Sequence, residues 1–177
     1  MMIFCGIDEA GRGPLCGPLV VAGVILNNKI DGLNDSKKLS AKNRDILYDK
    51  IVLNSNYFIS FSSNYEIDKY GLSCCMSKSI KEIIKNIKAD LYLIDGNTTF
   101  KVPNISNEIK ADQKYHEVMC SSILAKVSRD RHMISQHKLY PNYGFDKNKG
   151  YGTKTHYEAI KKYGLTPIHR KSFKIVI

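Results

Sequence analysis

The chain opens with two apolar, β-rich runs, Ile3 to Asp8 and Leu19 to Leu26, joined by a connection rich in glycine and proline. Short runs of branched and aliphatic residues bounded in this way predict two neighbouring strands. The second run, Leu19-Val20-Val21-Ala22-Gly23-Val24-Ile25-Leu26, contains no polar residue and should be buried on both faces. A polar loop from Leu33 then leads into a predicted helix from Ala41 to about Leu53, with Ser40 placed to cap it. Alternation predicts a third strand at Tyr57 to Ser62, where Tyr57, Ile59 and Phe61 interleave with Phe58, Ser60 and Ser62. Between Leu72 and Lys88 the period changes: Ile80, Ile83, Ile84 and Ile87 stand at i, i+3, i+4 and i+7, the signature of one buried helical face. Leu91 to Asp95 predicts a short buried strand ended by Gly96-Asn97, and Asn107 to Lys110 a fifth.

Gln113 to Ile134 predicts the most informative helix. At about 100° per residue, Cys120, Ile123, Val127 and Ile134 form one apolar stripe, and Asp130 projects into it. A carboxylate is costly there unless compensated, either by a salt bridge to a neighbouring helix or by work as a metal ligand or catalytic acid. Further on, Thr155-His156-Tyr157-Glu158 has the capping-box pattern of a last helix that should stop at Gly164 before Pro167. Tyr151, between Gly150 and Gly152, then sits at a loop tip. Strands first, followed by alternating helix and strand, predict an α/β fold with a mixed five-stranded sheet flanked by helices. No repeat or linker divides residues 1–177, so one domain is expected, with about 141–177 as a helical C-terminal extension.

Composition narrows the partners. A formal net charge of +10, from 27 Lys+Arg against 17 Asp+Glu, favours a polyanion such as nucleic acid, although lysine-rich coding bias would produce the same excess. Five cysteines without a C-x-x-C pair argue against a disulfide framework or zinc ribbon and suit reduced thiols in a cytoplasmic protein. His116 and Cys120 stand at i, i+4, but two ligands do not make a zinc site. No apolar run approaches membrane-spanning length and the start lacks the charge of a signal peptide, so no membrane association is expected, and a monomer is the default.

Chemistry is concentrated in Cys5-Gly6-Ile7-Asp8-Glu9-Ala10-Gly11-Arg12-Gly13-Pro14. Asp8 and Glu9 end an apolar run and are followed at once by a flexible Gly11-Arg12-Gly13, whose arginine suits phosphate. Taken alone, this is equally an exposed acidic turn. Asp95, at the end of a later strand, and Asp130 change the balance, because ligands collect at strand ends on one edge of an open α/β sheet. Carboxylates without Cys or His partners suit hard cations such as Mg²⁺ or Mn²⁺. With Arg12, the Ser36-Lys37-Lys38 loop, Lys126 and Arg129 nearby to meet phosphate, the set points to two-metal phosphodiester chemistry. One obstacle stands: neighbours on a regular strand face opposite ways, so Asp8 and Glu9 share a site if the chain bends there, as Gly11 and Gly13 would permit.

These residues resemble a known family. Gly6-Ile7-Asp8-Glu9-Ala10-Gly11-Arg12-Gly13-Pro14 with Gly17-Pro18, Asp35-Ser36-Lys37-Lys38-Leu39, Ile94-Asp95-Gly96, Ser122 to Asp130, Lys149-Gly150-Tyr151-Gly152-Thr153 and His169-Arg170-Lys171-Ser172-Phe173 occur, in this order, in a pattern similar to bacterial ribonuclease HII. The resemblance implies a ribonuclease H-like fold and metal-dependent cleavage of RNA in RNA/DNA hybrids, including ribonucleotides embedded in duplex DNA. The cut would fall 5′ of the ribonucleotide, leaving 3′-hydroxyl and 5′-phosphate ends. It implies Asp8, Glu9, Asp95 and Asp130 as catalytic, metal-holding carboxylates. Gly11, Arg12 and Gly13 would read the ribose 2′-OH, and Tyr151 would pack on the next deoxyribose, while Ser36, Lys37, Lys126 and Arg129 complete the expected substrate contacts. Three features depart from the family pattern: Asn148 where a histidine is usual, Met119-Cys120-Ser121 in place of alanines, and a short C-terminus. Competing readings are the sister ribonuclease HIII, an integrase-like enzyme on the same fold, and a non-catalytic nucleic-acid binder. The first would bring an extra N-terminal domain, the second a further DNA-recognition domain, and the third would have no use for four carboxylates in these contexts.

Overall fold

The computed structural model describes residues 2–33 and 40–175. Five strands, β1 (Phe4–Ala10), β2 (Leu19–Leu26), β3 (Ser55–Ser62), β4 (Leu91–Asp95) and β5 (Ser106–Glu108), form one sheet in the order β3-β2-β1-β4-β5. β2 lies antiparallel to both β1 and β3, while β4 runs parallel to β1 and β5 parallel to β4, which makes the sheet mixed as expected. Helices α1 (Ala41–Asn54), α2 (Asn64–Tyr70), α3 (Leu72–Asn86), α4 (His116–Leu139), α5 (Phe145–Asn148) and α6 (Lys154–Tyr163) complete the order.

The sheet separates two cores. On one face Cys5, Ile7, Leu19 and Val21 pack with Met76, Ile80, Ile83 and Ile87. On the other, Val20, Ala22 and Val24 meet Leu47 and Ile51 of α1 and Cys120, Ile123 and Leu124 of α4. β2 therefore contributes to both, which is why its eight residues are apolar. Met119, Cys120 and Ser121 are all buried, and the Ser121 hydroxyl is satisfied by the Val118 carbonyl at 2.8 Å. A third cluster joins Leu15 and Cys16 to Met133 of α4 and to Tyr143, Phe145, Ala159 and Ile160, and so attaches the C-terminal segment to the loop after β1.

Several boundaries differ from expectation. α2 was not anticipated, although Ser63-Asn64-Tyr65-Glu66 forms a complete capping box whose pattern is visible in the sequence. α6 starts earlier than Thr155: Thr153 caps it by accepting from the His156 N–H. α4 begins at His116, runs on to Leu139, and turns its stripe, so that Ile134 is exposed and Met133 is buried instead. β5 ends at Glu108, before a left-handed Lys110.

Because Ile83 is fully buried and Ile84 only partly so, Ile83→Ala should lower unfolding free energy by about 2–5 kcal/mol. Ile84→Ala should cost clearly less, and urea denaturation of both variants checks the assignment of the buried face.

Candidate active site

Three carboxylates converge at the C-terminal edge of β1 and β4. The parallel register that aligns Ile7 with Ile94 carries Asp8 and Asp95 to adjacent strand ends. Asp8 and Glu9 do not share a face. Asp8 pairs with Ala22, which faces α4, and Glu9 pairs with Val21, which faces α3. β1 keeps its regular pairing through Ala10, so the expected bend is absent; the two carboxylates straddle the strand and both feel the charge of Asp95. Asp8 Oδ1 accepts from the Glu9 N–H at 2.7 Å, and the Ser122 hydroxyl of α4 also bonds it. Burial, and then the neighbouring Glu9, push the Asp8 carboxyl up to about 8. Burial likewise raises Glu9 against the opposing pull of Arg12, and Glu9 Oε2 is buried with no hydrogen-bond partner. Asp95 Oδ1 accepts from the Ala111 N–H at 2.7 Å. An all-oxygen donor set that is costly to ionise together, with one oxygen left unsatisfied, fits a hard divalent cation.

Asp130 stands apart from these three. Ser122, Lys126 and Asp130 lie at i, i+4 and i+8 along one ridge of α4, which puts Asp130 roughly 12 Å beyond Ser122 at 1.5 Å per residue. It does not sit unpaired among apolar residues as the stripe suggested; its carboxylate, only partly buried, accepts from Lys126 Nζ at 2.8 Å within the same helix.

The loop from Gly11 to Pro18 is held from beneath by two buried guanidinium groups. Arg170 donates to the carbonyls of Gly11 at 2.6 Å, Arg12 at 3.1 Å, Gly17 at 3.0 Å and Pro18 at 3.1 Å. Arg129 donates to Pro18 at 2.9 Å, Cys16 at 3.0 Å and Lys149 at 2.9 Å. The expectation that Arg129 contacts substrate is therefore corrected: the side chain is 1% exposed and its donors are used on main chain. Gly11 explains why the loop can lie so close, since its φ is +101° and a Cβ there would come within 2.4 Å of Arg129 Nε. Arg12 points the other way, half exposed, bonded to Glu9 at 3.3 Å and 5.7 Å from the Phe100 ring centroid. Ser36 and Lys37 lie outside the described residues.

Tyr151 is exposed on its loop, with Lys126 Nζ 5.8 Å and the Arg129 guanidinium 5.6 Å from its ring centroid. Asn148 is equipped for the position where a histidine is usual: its amide donates to Tyr143 O at 2.7 Å and its oxygen accepts from Gly150 N–H at 2.8 Å. Gly150 in turn needs its φ of +83°, because a Cβ would meet Cys16 O and Sγ at 2.8 Å. The Leu15 N–H donates to the Gly150 carbonyl at 2.8 Å, so the Tyr151 loop and the loop after β1 are joined directly. Sequence reasoning missed Ser122 and Arg170 as parts of this arrangement, although both fall inside quoted motifs.

Residues 5–176 match the family model described as Ribonuclease HII. The chain belongs to the ribonuclease HII family. The Ribonuclease HII of Aliarcobacter butzleri is 57% identical over 177 residues, covering 99% of this chain and 92% of that protein. Among solved structures, a chain of the PCNA:RNase HII complex from Archaeoglobus fulgidus superposes with a TM-score of 0.86 at 27% identity, covering 100% of this chain and 97% of its own length. Ribonuclease H2 from Pyrococcus horikoshii superposes with a TM-score of 0.80 at 28% identity, covering 98% and 95%. The sheet and helices are those of the ribonuclease H-like fold. The protein is a metal-dependent endoribonuclease of nucleic-acid substrates, a hydrolase that cuts an RNA strand.

The raised Asp8 carboxyl has a definite consequence for stability. Without metal, folded Asp8 keeps its proton up to about pH 8, whereas the unfolded chain loses it near 3.8. The associated stability is complete below the lower value and lost as pH rises through the higher one. Asp8→Asn should therefore make the metal-free protein more stable than wild type above about pH 8, and added Mg²⁺ should close the gap by stabilising the wild type alone. Urea unfolding in EDTA and in Mg²⁺, on either side of that pH, checks both halves.

Proposed function

We propose that this ribonuclease cleaves the RNA strand of RNA/DNA hybrids and cuts on the 5′ side of single ribonucleotides embedded in duplex DNA, leaving 3′-hydroxyl and 5′-phosphate ends. The convergence of Asp8, Glu9 and Asp95 at one sheet edge, beside a loop and a tyrosine tied to each other, carries this reading. Asp8, Glu9 and Asp95 are the residues that would hold two divalent cations, Mg²⁺ or Mn²⁺; Asp130, paired with Lys126 and about 12 Å along α4 from Ser122, stands too far off to share them. Cations bound there supply the activation of water and the neutralisation of charge on the leaving oxygen. Arg170 occupies the Gly11 and Arg12 carbonyls, so the loop offers donors to a substrate oxygen, as reading a 2′-OH requires. Arg12, released from Glu9, is available to phosphate. Lys126 stands between Asp130 and Tyr151 and can serve the backbone on the deoxyribose side. Such an enzyme suits the removal of ribonucleotides and hybrids left by DNA replication, in a cytoplasmic setting compatible with five free thiols, and acts as a monomer.

With Mg²⁺ or Mn²⁺, a DNA duplex carrying one ribonucleotide should be cut once, at its 5′ side, and all-DNA duplex left intact; a folded preparation that cuts with neither metal would sink the proposal. Asp8→Asn and Asp95→Asn should each reduce turnover by about a hundredfold or more while hybrid binding persists, since metal ligation is lost and basic contacts are not. Asp130→Asn should leave metal-dependent cleavage largely intact, and a loss of about a hundredfold there would return that residue to the metal set. Tyr151→Ala should cost about tenfold at the embedded ribonucleotide, the scale of one aromatic packing contact, and less on uniform hybrid. Equal losses would favour a hybrid nuclease without junction specificity, as in ribonuclease HIII.

A further inference from the structure

The C-terminal segment buries two histidines for which the chemistry above has no use. His156, in α6, and His169 are both essentially inaccessible to solvent, and their Nε2 atoms are 3.1 Å apart. With Cys16 they bring three potential metal ligands within 4.8 Å of one another. Their hydrogen bonds decide what the cluster is. The Thr166 backbone N–H can only donate, and it meets His169 Nδ1 at 2.9 Å, so Nδ1 must offer its lone pair. The Thr166 hydroxyl, 2.8 Å from the same nitrogen, can donate to it as well. Neutral His169 then carries its proton on Nε2 and donates to His156 Nε2. His156 in turn carries its proton on Nδ1, which lies 2.9 Å from the Tyr151 carbonyl oxygen. Burial lowers both imidazoles, His169 to about 4, so both stay neutral at physiological pH.

Coordination by His169 Nε2 would shift its proton to Nδ1, against the Thr166 N–H. The Cys16 thiol, pushed up to about 12 by burial, resists ionisation as well. The cluster is thus a directed chain of donors rather than a metal site. One end of it is the backbone of Tyr151. That carbonyl also accepts from the Thr153 N–H at 2.8 Å, but Thr153 belongs to the same loop, whereas the His156 bond reaches the segment from Thr166 to Arg170. The neighbour of His169 is Arg170, which holds Gly11 and Arg12. Two consecutive residues therefore lead to the two loops that the proposed function assigns to ribose and deoxyribose.

We propose that His156 and His169 are positioning residues: the chain Thr166 to His169 to His156 to Tyr151 sets where Tyr151 stands relative to Gly11-Arg12-Gly13, and thereby junction selectivity. The inference rests on reading Tyr151 as the deoxyribose contact. It is tested by comparing His156→Asn with His156→Gln in the full chain. Asparagine can place an amide N–H near the former Nδ1 and keep the bond to Tyr151, whereas glutamine reaches toward His169 and loses it. The readout is kcat/KM on DNA with one embedded ribonucleotide divided by kcat/KM on uniform RNA/DNA hybrid. In H156Q this ratio should fall about fivefold, the scale of one net hydrogen bond, with kcat on uniform hybrid unchanged, and H156N, which keeps the bond to Tyr151 but loses the one to His169, should recover part of it. Equal ratios in the two variants, or losses shared equally by both substrates, would overturn the inference. Long-range ¹H–¹⁵N NMR of the wild-type protein tests it without any variant: His169 should be protonated at Nε2 and His156 at Nδ1, unchanged by Zn²⁺. The opposite tautomer of either residue, or zinc-induced shifts, would overturn it. Tyr151→Ala separates the possible failures. An unchanged ratio there overturns the reading of Tyr151 and this assignment with it; a lowered ratio there beside an unchanged one in H156Q overturns the assignment alone.

Discussion

Two guanidinium groups, Arg129 and Arg170, lie almost wholly out of solvent and bond to backbone carbonyls of the loop that follows β1. Burying a cation costs several kcal/mol unless its donors are met, and here carbonyl oxygens of residues 11–18 and of Lys149 meet them. Both arginines share the Pro18 carbonyl. This arrangement locks three distant stretches together: α4, the turn after β1, and the C-terminal segment. The shape of the loop beside Asp8 and Glu9 therefore depends on residue 170, whose burial, with the charge of Arg129 beside it, lowers its guanidinium to about 10.

The carboxylate edge shows the opposite economy. Around the arginines each guanidinium nitrogen meets a carbonyl, whereas Asp8 and Glu9 are held beside Asp95 where burial and neighbouring charge make their own ionisation expensive, and Glu9 Oε2 is left without a bond. Such local conflict is tolerated where a ligand resolves it. On the reading proposed above that ligand would be a divalent cation, and the ion pair of Glu9 with Arg12 is the charge balance the protein keeps for itself. The rigid side of the site is thus built by arginine on main chain, and the reactive side by acid groups held close together.

A large part of this was legible before any coordinates. The eight apolar residues of β2, the isoleucine spacing of α3 and the ordered motifs required only local periodicity and residue type, and they led to the sheet, the family and the carboxylates. Reading failed where the decisive partner was main chain or lay far along the chain. Arg129 looks like any basic residue beside an acid, because nothing in its own neighbourhood announces that Pro18, Cys16 and Lys149 will present carbonyls to it. Ile134 and Met133 exchange roles because a third core, assembled from residues near 15, 143 and 160, pulls the end of α4 round. The capping box of α2 was the exception, a local signal simply overlooked.

What the sequence determined by itself was which residues are acidic at strand ends, which faces are apolar, and where glycine permits a close approach; these follow from side-chain chemistry and from periods of two and 3.6 residues. The tertiary structure alone decided that Asp8 and Glu9 straddle their strand rather than bend to one side, that Ser122 rather than Asp130 is the α4 residue brought against Asp8, and that His169 and Arg170 reach separate loops. The physical reason is the same in each case. Backbone carbonyls, tautomers and strand register carry no residue-type signature, so their part in the site exists only once long-range packing has brought them into place.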